Sequence, residues 1–237
     1  MQKRLLLLSN STNIGESYLF YAHQEIKKFL GESVQKILFL PFAGVTLIYD
    51  EYTERVGKIF KNLGYKIEGI HGSENYHELI AKAEAIVVGG GNTFHLVHWL
   101  HKSRVIEIIR EKINHGIPYI GWSAGSNIAC PKIKTTNDMP IIEPISLNAL
   151  NLVPFQINPH YTDAVIPNHN GEPREKRIKE FLVVNPDIYV IGLKEGTMLN
   201  IEDSSMKLIG NQTMRLFKFG EPIVEYDSNS NLDFLLK

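Results

Sequence analysis

Apolar and polar positions alternate along this chain with two different periods. Short apolar runs at Leu5 to Leu8, Ile37 to Leu40, Ile67 to Ile70, Ala85 to Val88 and Tyr119 to Trp122 predict buried strands. Between them, Glu16 to Leu30, Tyr49 to Leu63, Tyr76 to Ala83 and Thr93 to His115 carry apolar residues at helical spacing, the last with a break near Ser103. Strands that are apolar throughout need cover on both faces, so this strand–helix rhythm predicts a mostly parallel sheet with helices on both faces, an α/β fold. Ligands of such sheets bind beyond the carboxyl ends of the strands.

The texture changes after Cys130-Pro131. Prolines and asparagines punctuate 135 to 170, a long loop-rich region of the kind that usually serves function. A helix is expected from Pro173 to about Val184, because proline favours a first helical turn. Short strands and hairpins then follow at 189–191, 198–201, 206–209 and 215–219. Nothing marks a linker or repeat, so residues 1–237 read as a single domain. Lys plus Arg (25) nearly balances Asp plus Glu (26), which leaves no basic surplus for a nucleic-acid backbone. No stretch is long enough to span a membrane, and the leucines near the start read as a strand, not a secretion signal. The single cysteine, Cys130, permits no internal disulfide and suits a reducing cytoplasm. It reads as a small buried apolar residue in the helix that follows Trp122.

Candidate chemistry gathers at two strand ends. Gly121-Trp122-Ser123-Ala124-Gly125 follows an apolar strand, the context in which a tight strand-to-helix turn exposes a serine hydroxyl. The pattern alone arises by chance in roughly one chain in ten of this length. Gly89-Gly90-Gly91-Asn92-Thr93 ends another strand. It fits a phosphate site, an oxyanion hole or a simple capped turn, and capping and an oxyanion hole are compatible. A serine nucleophile needs a base, and among nine histidines His160 and His169 lie where the chain can return to this sheet edge. His95, His98 and His101 resemble a metal motif, but on a helix the first and third point roughly 120° apart, so a solvated helix face is expected.

Taken in order, Leu6 to Ser11, Pro41 to Thr46, Asp50-Glu51-Tyr52, Gly89 to Phe94, Gly121 to Gly125, Thr135 to Pro140, Gln156 to His160 and Gly171 to Glu175 resemble the peptidase E family of aspartyl dipeptidases along most of the chain. The resemblance implies a Rossmann-like fold related to class I glutamine amidotransferase domains, with serine replacing their elbow cysteine. It also implies a cytoplasmic serine dipeptidase that removes N-terminal aspartate from small Asp-X peptides through an acyl-enzyme, without metal or cofactor. In this likeness Ser123 is the nucleophile, His160 the base, Asp138 the acid that orients it (Glu195 being the alternative), and Arg174 the grip on the substrate carboxylate. The oxyanion hole would comprise the amides of Ala124 and of Gly90 or Gly91. Two other readings stand beside it: a cyanophycinase-like peptidase acting on a branched aspartate polymer, and a binding module without turnover.

Overall fold

The structure, a computed structural model, describes residues 3–164 and 171–237. Chain order is β1 (Arg4–Leu8), α1 (His23–Leu30), β2 (Lys36–Leu40), α2 (Tyr49–Leu63), β3 (Lys66–Gly69), α3 (Tyr76–Lys82), β4 (Ala85–Val88), α4 (Thr93–Lys102), α5 (Ile106–Asn114), β5 (Tyr119–Trp122) and α6 (Ala124–Asn127). It continues through β6 (Gln156–Tyr161), α7 (Arg174–Val184), β7 (Val190–Lys194), β8 (Met198–Glu202), β9 (Ser205–Ile209), β10 (Met214–Phe217) and β11 (Val224–Tyr226).

The main sheet has the order β3-β2-β4-β5-β1-β8-β9. Its first five strands are parallel, and the β8–β9 hairpin extends it antiparallel beside β1. This is the α/β class expected. Leucine alternation in β1 divides the core in two. Leu6 and Leu8 pack with Ile26 and Phe29 of α1 and Val56 and Phe60 of α2. Leu5 and Leu7 face the other way, among Leu96 and Leu100 of α4 and Ile109 and Ile113 of α5. A strand period of two makes this inevitable when consecutive residues are all apolar.

A second sheet, β11-β10-β7-β6, was not legible from the pattern. Its β6 and β7 are parallel, joined by α7, while β10 and β11 add antiparallel. Ile157, Ile191 and Leu193 join the larger core, while Tyr161, Val190 and Phe217 pack with Ile178 and Leu182 of α7. The two sheets therefore meet where β1, β5 and β6 end.

Three local expectations need correction. The first helix does not span 16–30: Leu19 sits at φ 58 with its N–H bound to the Ser11 carbonyl (2.6 Å), so the α-helix begins only at His23. The helix after Trp122 stops at Asn127, so Cys130 lies beyond it. There it is fully buried, and its sulfur accepts the Ile157 N–H (3.1 Å). The long loop-rich stretch also contains β6, which carries His160.

Candidate active site

β5 runs straight into α6, and the junction residue is Ser123, at φ 54 and ψ −112. The turn is closed by the Ser126 and Asn127 amides, both donating to the Ser123 carbonyl (3.0 Å). Glycine is required on each side: a Cβ on Gly121 would collide with the Gly125 carbonyl, and one on Gly125 with that of Val88. The serine hydroxyl is left pointing away from the sheet at the carboxyl end of β5.

β4 ends beside it. A Cβ on Gly90 would stand 3.1 Å from the Ser123 Cβ, a tight contact to which the neighbour would have to yield. Gly91 takes φ +137, and a side chain on it would run into the Ala43 carbonyl. The Asn92 N–H donates to Ala43 O (2.8 Å), and its side-chain oxygen accepts the His95 N–H (3.0 Å), which caps α4. Among the described residues, the amides of Gly90, Gly91 and Ala124 donate to no backbone carbonyl. Capping and the unpaired backbone N–H groups of Gly90 and Gly91 thus occur in one turn, with that of Ala124 at the neighbouring β5–α6 junction.

His160 reaches the serine from the second sheet. Its Nε2 is 2.9 Å from Ser123 Oγ, and its Nδ1 is 2.7 Å from Oε1 of Glu195, in the turn between β7 and β8. His160 occupies φ 52, at an irregularity in the β6–β7 register between Asn158 and Tyr161. This turns the imidazole toward the junction of the sheets. The rival His169 lies outside the described residues.

Asp138 is not part of this chain of contacts, and the expectation that it orients His160 is corrected. One of its carboxylate oxygens accepts the Thr93 N–H (2.7 Å), the Thr93 hydroxyl (2.6 Å) and the Thr136 hydroxyl (3.0 Å). It serves the first turn of α4, where a carboxylate meets unpaired amides and a favourable helix dipole. The neighbouring asparagine does the work near the histidine: the Asn137 amide donates to Pro159 O (2.8 Å) and its oxygen accepts from Asn158 (2.8 Å).

Arg174 begins α7 and lines a cleft of about 430 Å³ together with His160, Asp163, Lys194 and Glu195. Its Nη1 is buried and has no hydrogen-bond partner among the described residues. Burial pulls its pKa down, while the nearby Glu195 charge opposes that. Lys194, which lines the same cleft, is paired with Asp163 (3.2 Å) and Glu225 (3.8 Å), and Arg215 with Glu175 (3.0 Å) and Glu225 (3.4 Å). A second cleft, of about 630 Å³, also reaches His160 and is lined by Ser123, Gly90 and Gly91. The histidines of α4 are dispersed: His95 Nδ1 meets Phe42 O (2.6 Å), His98 Nδ1 Glu143 O (3.2 Å) and His101 Nε2 Asn148 O (2.8 Å).

One residue at the site has no role that its motif, Leu6 to Ser11, discloses. Ser9, fully buried at the end of β1, donates to Leu193 O (2.7 Å) and accepts the His160 N–H (2.9 Å). It bridges the two sheets directly behind the histidine. Apart from that motif, a polar pair, Ser9-Asn10, immediately after four leucines is the only mark it leaves in the sequence.

No helix among the described residues is long and apolar enough to cross a membrane. The chain is similar over its length to proteins named peptidase E. One from Nostoc sp. strain PCC 7120 is 69% identical over 237 residues, covering 100% of this chain and 98% of the relative. One from Salmonella paratyphi A is 45% identical over 224 residues, covering 94% and 97%. Among solved structures, a peptidase from an acI-B1 Actinobacterium aligns with a TM-score of 0.69 at 15% identity, over 98% of this chain and 97% of that one. A candidate peptidase E from Listeria monocytogenes EGD-e aligns with a TM-score of 0.63 at 24% identity, over 90% of this chain and 100% of that one. Both share the fold. The model of peptidase family S51 matches residues 5–209. The chain is a member of peptidase family S51.

Proposed function

We propose that this peptidase is a serine-type dipeptidase that releases N-terminal aspartate from Asp-X peptides. The observation that carries the reading is the continuous chain Ser123 Oγ, His160 Nε2, His160 Nδ1, Glu195 Oε1, at 2.9 and 2.7 Å. Such an arrangement of hydroxyl, imidazole and carboxylate is what activation of a weak nucleophile requires.

His160 Nε2 takes the proton of Ser123 Oγ as that oxygen bonds to the carbonyl carbon of the aspartyl residue. The carbonyl oxygen becomes an oxyanion and accepts hydrogen bonds from the Ala124 amide and from Gly90 or Gly91; each such donor lowers the barrier by about 3 kcal/mol. Glu195 accepts a hydrogen bond from Nδ1–H, which fixes the tautomer and stabilises the transient imidazolium while the proton stays on the ring. His160 then gives its proton to the leaving nitrogen, the C–N bond breaks, and residue X departs as a free amine. Water attacks the resulting ester with His160 again as base; the acyl–oxygen bond breaks, Ser123 regains its proton and aspartate leaves. Arg174 supports the choice of an acidic side chain, because a partly buried guanidinium with an unpaired N–H lacks the anion that would satisfy it. The steps use these side chains and water alone.

The test is a panel of X-Leu dipeptides with labelling by a fluorophosphonate. The expected result is fast release of leucine from Asp-Leu, slow release from Asn-Leu and Ala-Leu, and a label confined to Ser123. Cleavage of Ala-Leu as fast as Asp-Leu refutes the aspartate preference, and an unlabelled Ser123 refutes the nucleophile.

A further inference from the structure

Arg55 stands on α2, away from every residue assigned so far, yet it lines the 630 Å³ cleft that contains Ser123, His160, Gly90 and Gly91. An exposed arginine on a helix ordinarily pairs with an acid one turn away or trails in solvent. Arg55 does neither. Glu51 precedes it by four residues, the spacing at which Glu54 and Lys58 pair (2.8 Å), but Arg55 forms no ion pair among the described residues. Its guanidinium instead lies 4.4 Å above the centre of the Tyr18 ring. Stacking of this kind holds the planar cation in place while leaving its N–H edge free for an anion.

The platform beneath it leads to the reacting group. The Tyr18 ring packs edge-on to Trp122, the residue before Ser123, with centroids 6.1 Å apart. The hydroxyls of Tyr18 and Tyr52 are 3.1 Å apart, and Tyr52 donates to the Gly90 carbonyl (3.0 Å). Arg55 is therefore referenced through one buried aromatic unit to the serine and to the glycine amides beside it. Val45, Leu47 and Ile141 add exposed apolar surface to the lining, beside the polar Ser11, Thr46 and Asn92.

We propose that this cleft is the subsite for the leaving residue and that Arg55 takes its C-terminal carboxylate. The inference rests on the proposed peptidase reading. With the aspartyl side chain directed to Arg174 in the one cleft, residue X falls in the other, which shares His160 with it and where Val45, Leu47 and Ile141 offer apolar contact to its side chain. In a dipeptide the terminal carboxylate follows residue X directly and meets the guanidinium. A longer peptide presents a neutral amide at that point and carries its charge about 3.5 Å further along. Arg55 would thereby favour dipeptides over longer chains.

The experiment compares the wild type with Arg55→Gln on Asp-Leu and on Asp-Leu-amide, which differ only in the terminal charge. A charge-assisted hydrogen bond at an exposed site predicts a loss in kcat/KM of about tenfold for Asp-Leu, chiefly through KM. Asp-Leu-amide is expected to change by less than about twofold, and fluorophosphonate labelling of Ser123 to stay at the wild-type rate. Equal losses on acid and amide, or no loss on either, overturn the assignment. Should the wild type cleave Ala-Leu but not Asp-Leu, the aspartate reading fails and the same comparison is made on Ala-Leu and its amide. A wild type that cleaves no dipeptide overturns both readings together.

Discussion

Replacing Glu195 by glutamine separates the two candidate acids. The change preserves shape but removes the charge 2.7 Å from His160 Nδ1 and allows the new amide to donate to that nitrogen. Two effects follow. The first is loss of ion pairing with the imidazolium that forms during reaction. At a charge separation of ~4 Å this is worth ~4 kcal/mol at an effective dielectric of 20 and ~1 kcal/mol in bulk water. Glu195 is 49% exposed and His160 36%, so a value of about 2 kcal/mol, or about thirtyfold, is appropriate. The second is the tautomer: a donor at Nδ1 drives the ring proton to Nε2, where it opposes Ser123. In a fully buried triad both effects together reach ~10⁴-fold. At this half-exposed position, where water competes for Nδ1, the expected loss in kcat is about 10²–10³-fold, with KM little changed. Asp138→Asn is the control. It weakens three hydrogen bonds at the start of α4 and should lower stability by about 1–2 kcal/mol, or roughly 2–6 °C in Tm. Its kcat should fall by less than about tenfold. Steady-state kinetics on Asp-Leu and a thermal melt of each variant suffice. If Asp138→Asn loses more kcat than Glu195→Gln at an unchanged Tm, the reasoning is wrong.

Four further outcomes are expected. Ser123→Ala should lose at least ~10⁴-fold in kcat and keep its melting temperature, since the hydroxyl's one contact is with His160; retention of a few per cent of activity would point to another nucleophile. Arg174→Ala should lower kcat/KM for Asp-Leu by about a hundredfold and leave the slow rate on Ala-Leu unchanged, whereas a parallel fall in both would make Arg174 structural. Ser9→Ala strips partners from two buried backbone groups, at about 1–3 kcal/mol each, and loosens His160; kcat should drop about tenfold at constant KM, and a change in KM alone would contradict this. Cys130, fully buried with its thiol pushed up to about 12 by desolvation, should resist alkylation at pH 8 in the folded protein and react on unfolding, as mass spectrometry would reveal.

The parallel half of the fold was legible because its central strands β1, β2, β4 and β5 are runs of apolar residues that no exposed element could tolerate, while the edge strand β3 mixes them with Lys66 and Glu68. The second sheet was not, because its strands pair across long intervening segments. Gln156–Tyr161 finds its partner in Val190–Lys194 only after α7 has intervened, and no local period encodes that. At the site, Ser123 and the glycine turn were readable since tight backbone geometry demands glycine at fixed places. Asp138 misled for a physical reason. Its surrounding residues resemble the family closely, but resemblance of a segment does not say where one side chain points. The carboxylate is drawn to the Thr93 amide by the start of α4, while Glu195, in an ordinary-looking Lys-Glu-Gly turn, sits against His160. Ser9 was missed because a motif does not give the role of one hydroxyl at a strand end; its meaning exists only once two sheets meet.

Ser123 at φ 54 and His160 at φ 52 are both held in backbone conformations that side chains other than glycine disfavour. Each costs on the order of 1–3 kcal/mol, a sizeable share of a stability that totals only ~5–15 kcal/mol. On the proposed mechanism, selection for robustness and selection for turnover pull in opposite directions at the same two codons. A gene copy freed from its catalytic duty would gain stability by exchanging either residue for glycine. Inactive descendants of this lineage are therefore expected to lose the serine and the histidine early, and to melt at higher temperatures than the enzymes they came from.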